Sequence, residues 1–320
     1  MKMRLAVALG LLVAGVVAAP AQNYPARPVR VIVPFAPGGP TDVLARLVAQ
    51  KLSEQTGKQF YIENIAAAGG NVGTARVAQA APDGHTLLVT GGNHTNNAYL
   101  YNHLPYDPIR DFAPITLMGV QAIVLTVHPS VPAQSAKELV ELIRSNAGKY
   151  SYAGPPAGTP PHLVGELFKL ALKLDLVYVP FAGGGPAVQA TVAGHTPISF
   201  GAMTPAVPMI KDGKLRALAV TSKARSRTLP EIPTMEQAGY PEVEGTTWTA
   251  LAAPAGTPKE IVAQLHRATA EILAQPDIKQ KLEALGVEPV ANSPDECAEF
   301  FRAEMAKWSK VIKAAGLQPH

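Results

Sequence analysis

One eight-residue segment occurs twice in this chain. Val33-Pro34-Phe35-Ala36-Pro37-Gly38-Gly39-Pro40 returns as Val179-Pro180-Phe181-Ala182-Gly183-Gly184-Gly185-Pro186, with seven of eight positions identical. Each copy begins within the end of a short apolar run that reads as a strand, residues 29–33 and 176–180. Each ends on a proline, which suits the first turn of a helix because its missing N–H is not needed there. The repeated unit is therefore strand, glycine turn, helix. In open α/β sheets ligands bind beyond the carboxyl ends of the strands. Glycines at such a turn let backbone N–H groups face outward at a helix start, an arrangement that attracts anions. Two such turns predict two lobes that each offer one turn to a shared cleft. The plainer reading is a tight connection, where Gly and Pro are common for conformational reasons alone; the near-identical pair favours binding.

The rest of the chain alternates in the same way. Val43, Leu44, Leu47, Val48 and Leu52 give the helix after Pro40 an apolar face. Strands are expected at 61–64, 86–90, 123–127 and 215–221. Helices are expected from Gly69-Gly70-Asn71-Val72-Gly73 to the turn cluster at 81–84, and at 136–146, 162–172, from 186 onward and 258–274. A last helix opens on Ser293-Pro294-Asp295-Glu296, a capping box with proline at the first position. Strands alternating with helices predict an α/β protein with mostly parallel sheets.

Hydrophobic residues make up 47% of the 320 residues and charged residues 16%, so the chain is globular rather than disordered. The net charge of +4 is too mild for a nucleic-acid partner, which needs clustered Lys and Arg. Lys2 and Arg4 precede an uncharged run at 5–18 and the small-residue site Ala19-Pro20-Ala21. That order predicts a secretory signal peptide cleaved before Gln22, hence an exported, periplasmic protein. The single Cys297 excludes a disulfide framework; it falls on a helical apolar stripe with Phe301 and Trp308 and reads as core. No cofactor is expected. There is no G-x-x-x-x-G-K-[ST], no G-x-G-x-x-G, no G-x-S-x-G and no H-E-x-x-H. His94 has no second ligand at metal spacing and reads as structural. His162 and Glu166, four apart, read as a helix-surface pair.

The segment from Pro28 through Asp42 resembles the opening signature of the Bug family, the extracytoplasmic solute-binding proteins of tripartite tricarboxylate transporters. Similar stretches follow in the family's order. They include Glu63-Asn64 with Gly69 to Gly73, Ala81-Pro82-Asp83-Gly84-His85-Thr86-Leu87, Leu104-Pro105-Tyr106-Asp107, Gly158-Thr159-Pro160, Val179 to Pro186, and Ala253-Pro254-Ala255-Gly256-Thr257-Pro258. The resemblance implies a two-lobed periplasmic-binding-protein fold with two crossing segments that closes on a small carboxylate. Residues 22–121 and 247–320 would form the first lobe and 122–246 the second. It implies that Phe35, Ala36, Pro37, Gly38, Gly39 and Asp42 hold a carboxylate through backbone groups and ordered waters. Asp42 would accept hydrogen bonds from those waters or from turn N–H groups; alternatively it only stabilises the helix start. Asn93, Thr95 and Asn97 resemble a second ligand-contacting loop, from which Asn96 and Ala98 depart. Thr159 at a helix start, and Phe181, Gly183 and Gly184 in the second turn, complete the expected set. The loop at 150–158 departs from the family, and Tyr152 there would enlarge the pocket or roof it with an aromatic face. Trp248 is either a cleft wall or hinge, or a buried core Trp with its N–H bonded.

The expected function is capture of an organic, amino or aromatic acid by a monomer, and its delivery to membrane permease subunits. The alternatives are a sensor presenting its ligand to a membrane receptor kinase and, with no acid–base pair in view, an enzyme acting on a carboxylate. Return of an unchanged ligand separates binder from enzyme.

Overall fold

The computed structural model describes residues 24–319; the signal-peptide expectation lies outside the described residues. Three parallel strands open the fold. β1 (Val29–Val33) lies between β2 (Phe60–Asn64) and β3 (Thr86–Thr90). Helix α1 (Pro40–Thr56) starts at its proline and stops at Gly57, whose left-handed φ of 67° lets its N–H reach Ser53 O. Its stripe of Leu44, Val48 and Leu52 packs with Val31, Leu87, Ile115 and Leu251. Each such side chain contributes about 2 kcal/mol on burial. Helix α2 (Asn71–Ala78) follows a single 3-10 turn at Ala68–Gly70.

The long strand β4 (Phe112–Val127) carries the chain across the molecule, and β9 (Thr246–Pro254) brings it back. Residues 112–122 of β4 pair antiparallel with β9. From Ile123 onward, β4 instead pairs antiparallel with β7 (Ile198–Ala202), and from Val124 with β8 (Arg216–Val220). Beyond β7 lie β5 (Ser151–Gly154) and β6 (Val177–Pro180), both parallel. The sheet order is β2-β1-β3-β9-β4-β7-β5-β6. Parallel pairing thus belongs to the outer strands of each half, and all pairs of β4 and β9 are antiparallel. The reason is geometric: a strand that crosses and one that returns beside it must run in opposite directions.

Around the sheet lie α3 (Asn93–Asn96), α4 (Ala136–Ser145), α5 (Pro160–Leu172), α6 (Gly184–Val192), α7 (Met203–Lys211), α8 (Lys259–Ala274) and α9 (Pro276–Ala284). The short β10 (Val287–Pro289) pairs with β4. The capping box of α10 (Pro294–Ala314) forms as expected: Ser293 Oγ accepts the Glu296 N–H, and Glu296 Oε2 accepts the Ser293 N–H. α10 serves both halves. Cys297 and Phe301 pack with Leu117 and Trp248. Trp308 and Ile312 join the second core around Leu125, Phe168 and Phe200. Burial pushes the Cys297 thiol up to about 12, so it stays an unreactive core group. Among the described residues no helix is long and apolar enough to cross a membrane.

Candidate functional site between the glycine turns

The first turn is held from behind. Gly38 adopts a left-handed φ of 82°, which only glycine takes without strain. Its N–H donates to Asp42 Oδ2 at 2.9 Å. Asn64 Nδ2 donates to Phe35 O at 3.0 Å and to Asp42 Oδ1 at 2.8 Å. Arg46 Nε donates to Asp42 Oδ2 at 2.9 Å. Burial works against the Asp42 charge, but bonds from Arg46, Gly38 and Asn64 outweigh it and hold the carboxyl below its usual range. Asp42 accepts a turn N–H and also stands in the first turn of α1, so the geometry accommodates both expected roles. The carboxylate is buried and neutralised by Arg46, so it does not repel an anion in front of the turn. The first helical bond of α1 runs from Val43 N–H to Gly39 O. The amides of Thr41 and Asp42 therefore have no helical acceptor, and the helix start is positive. Asp42→Ala is expected to lower stability by about 2 kcal/mol, measured by urea denaturation. Because its pKa is depressed, the Asp42 contribution is full above the ordinary value of about 3.9 and is lost as pH falls.

The second turn differs in shape although its sequence nearly repeats. α6 begins at Gly184, whereas the sequence match to Pro40 is Pro186. The single mismatch accounts for this. Gly183, standing where the first copy has Pro37, is extended at φ 175° and accepts the first helical bond from Ala187 N–H. Gly185 and Pro186 then fall inside the first turn, where proline is tolerated. The amides of Gly184 and Gly185 have no helical acceptor. Phe181 N–H is bound to Gly154 O, and its ring is half-buried.

The expected polar loop at 93–97 is one buried helical turn. Asn97 Nδ2 donates to Asn71 Oδ1 at 2.6 Å and to Gly69 O at 3.1 Å; Asn93 Nδ2 reaches Gly69 O at 3.4 Å. Thr95 Oγ1 donates to Gly92 O at 3.0 Å. These three side chains brace the first half. The residue that departs from the family pattern reaches across: Asn96 Nδ2 donates to Gly158 O at 2.9 Å. A Cβ at Gly92 would strike Pro160, and one at Gly158, itself at φ 81°, would strike Leu100. The two halves thus meet directly along this lip. His94 is structural, buried against Tyr106, Phe112 and Phe301 with Nε2 on Pro108 O.

Thr159 occupies the N-cap position of α5, but its hydroxyl donates to Pro156 O at 2.7 Å and does not cap the helix. Pro160 and Pro161 carry no N–H, so His162 supplies the only amide among the first three helical residues. His162 Nδ1 accepts the Gly158 N–H at 3.1 Å and is therefore unprotonated there. Burial lowers its pKa to about 4.

Tyr152 corrects the expectation of an aromatic roof. It is fully buried, packs on Phe200 and Tyr178, and donates to Glu166 Oε1 at 2.8 Å. β5, which the Pro-rich stretch concealed, turns this ring into the core behind the loop. His162 and Glu166 are likewise buried, not on the helix surface; Lys169 Nζ bonds Glu166 Oε2 at 2.9 Å.

Trp248 has the side chain of a core residue. It stacks on Phe301 at 5.2 Å and donates to Glu304 Oε2 at 2.9 Å. Its backbone faces the other way: a Cβ at Gly91 would lie 2.9 Å from Trp248 O, 3.7 Å from Thr41 Oγ1 and 3.9 Å from Phe35 Cζ. The first turn, the loop after β3 and the return crossing therefore converge. Pro40 also lines a small cavity with Gln121, Thr247 and Trp248. Gln121 bonds Thr204 at the start of α7, and a Cβ at Gly184 would touch Pro205 at 3.8 Å. That chain of contacts links the second turn to the first. Thr41, Gly91, Asn96, Gln121 and Thr204 escaped the sequence reading, and only the unexpected polarity of Asn96 was a signal. Larger hollows of about 420 and 340 Å³ lie elsewhere, beside Tyr99 and Lys313 and beside Lys223 and Glu244; neither is lined by the turns. Among the described residues no group of His, Cys, Asp or Glu is arranged to hold a metal.

The chain is similar to known proteins along its length. The family described as "Tripartite tricarboxylate transporter family receptor" matches residues 44–317. Protein BugT of Bordetella pertussis is 35% identical, with 98% of each chain covered. Among solved structures, Rpa4515 of R. palustris with adipate superposes with a TM-score of 0.88 at 34% identity, covering 93% of this chain and 100% of that one. MatC from Rhodopseudomonas palustris with bound malate gives 0.82 at 35% identity, covering 90% and 100%. The fold is that of the periplasmic binding proteins. With the signature at 28–42, the whole-length match and this two-lobed fold in agreement, the chain belongs to the tripartite tricarboxylate transporter receptor family, the family of the Bug proteins.

Proposed function

We propose that this protein captures a small carboxylate in the cleft between its two halves and delivers it to the membrane permease of a tripartite transporter. One observation carries the reading. The amides at the start of α1 stand free of helical acceptors, while the carboxylate beside them, Asp42, is already bonded to Arg46, Asn64 and Gly38. A local positive end with no competing negative charge suits an anion, and ordered waters can complete the shell at little enthalpic loss. The ligands named for Rpa4515 and MatC, adipate and malate, support a carboxylate. The site is read as Phe35 to Gly39 on one side and Phe181 to Gly184 on the other. Thr159 and the Asn96–Gly158 bond form the lip, and Asp42, Asn93, Asn97 and Trp248 support from behind. The protein acts as an exported periplasmic monomer that returns its ligand unchanged.

A thermal-shift panel of mono-, di- and tricarboxylic, amino and aromatic acids tests this. An acid at a hundred times its Kd stabilises the folded state by about 2.7 kcal/mol, expected as a rise in Tm of about 5 °C or more. A panel without a single shift would overturn the reading.

A further inference from the structure

Gln121 stands where β4 passes from one half to the other. It pairs with Thr247 of β9, and pairing with β7 begins two residues later at Ile123. Its side chain is buried, 3% exposed. The orientation of the amide is set by its partners: Nε2 donates to Leu285 O at 3.0 Å and meets Thr204 Oγ1, which itself donates to Leu285 O at 3.0 Å. Gln121 Oε1, at the other end, is buried and has no hydrogen-bond partner among the described residues. A buried acceptor without a donor is unfavourable and seeks one.

The cavity that Gln121 lines measures about 10 Å³, close to what one water-sized group needs. It is bounded by Pro40 and Leu44 of α1, by Gly119, by Thr247, Trp248 and Thr249 of β9, and by Val287. None of its lining residues is charged, so a buried ammonium would find no counter-charge there. A neutral O–H fits both the size and the chemistry.

We infer that Gln121 is a specificity-determining residue whose Oε1 accepts the hydroxyl of a hydroxy acid bound with its carboxylate at the α1 turn. This rests on the carboxylate reading above. Calorimetric titration with matched pairs tests it: malate against succinate, and 2-hydroxybutyrate against butyrate. The native protein is expected to prefer the hydroxylated member by about tenfold or more, since a site built around a hydrogen bond rejects the analogue that lacks it. Gln121→Met should bring that ratio close to one. Thr204→Val, which loosens the bridge to Leu285 but keeps Oε1, should preserve the ratio.

Equal affinity of the native protein for both members of each pair overturns the inference and leaves the carboxylate reading standing. A preference that survives Gln121→Met, or a complex in which a water bonds Oε1 and the ligand hydroxyl lies elsewhere, also overturns it. Failure of every acid to bind removes both readings together. Should Gln121→Met not fold, a structure of the native protein with malate decides: a ligand hydroxyl within hydrogen-bond distance of Gln121 Oε1 supports the inference, and one placed elsewhere overturns it.

Discussion

Glu304→Ala should cost about 3 kcal/mol or more of folding stability, measured by urea denaturation. One carboxyl oxygen, Glu304 Oε2, accepts the indole N–H of both Trp248 and Trp308 at 2.9 Å. Truncation would leave two buried donors unpaired, each carrying a desolvation penalty of about 1–3 kcal/mol. Trp248 lies on the return crossing and Trp308 packs in the second core, so the carboxyl ties the crossing to the last helix. A loss below 1 kcal/mol would mean that the indoles find other acceptors. Glu304→Gln keeps an acceptor and should cost less.

The pH dependence of this group has a definite sign. Burial raises the Glu304 pKa, and bonds from Trp308 and Trp248 only partly offset it. Its contribution is therefore full below the ordinary value of about 4.3 and is lost as pH rises through the folded value. Native Tm should fall relative to Glu304→Gln over that rise. A difference independent of pH would show that the carboxyl is not raised.

Gly39→Val should separate binding from folding. Gly39 is extended at φ −75° and ψ 165°, a conformation that valine accepts and that a residue before proline prefers. The atom nearest its added Cβ would be Ala36 O, at 3.8 Å. The fold should lose only about 1 kcal/mol, the usual loss at a helix N-cap. The added side chain would occupy the open space at the turn proposed to meet the ligand, so carboxylate affinity should fall about a hundredfold, or about 2.7 kcal/mol. Calorimetry and a thermal melt on the same sample measure the two effects. Unchanged affinity would remove the first turn from the site.

The sequence made legible whatever is written within a few residues. The strand at 29–33, the helix from Pro40, the turn cluster at 81–84 and the Ser293 capping box all stand where local periodicity and caps put them. The resemblance supplied the two lobes. Strands interrupted by breakers were hidden: Pro114 and Gly119 obscured the first part of β4, where the register with β9 shifts. β5 hid inside a stretch that reads as a Gly- and Pro-rich loop. Tyr152 was misplaced for that reason, because strand or loop decides which way its ring points. The repeated segment was legible as sequence and misleading as geometry, since Gly183 in place of Pro37 moves the helix start by two residues.

The chain by itself determined the α/β class, the two glycine turns and the family, because those depend on short-range periodicity, on backbone freedom at particular glycines and on a continuous signature. Only the tertiary structure decided that Asn96 bonds Gly158, 62 residues away, that Trp248 reaches Glu304, 56 away, and that Gln121 Oε1 is buried without a hydrogen-bond partner among the described residues. Those pairings arise from packing between distant segments. An amide or a carboxyl looks the same in sequence whether it faces water, a partner or an unfilled cavity, and only the fold supplies its surroundings.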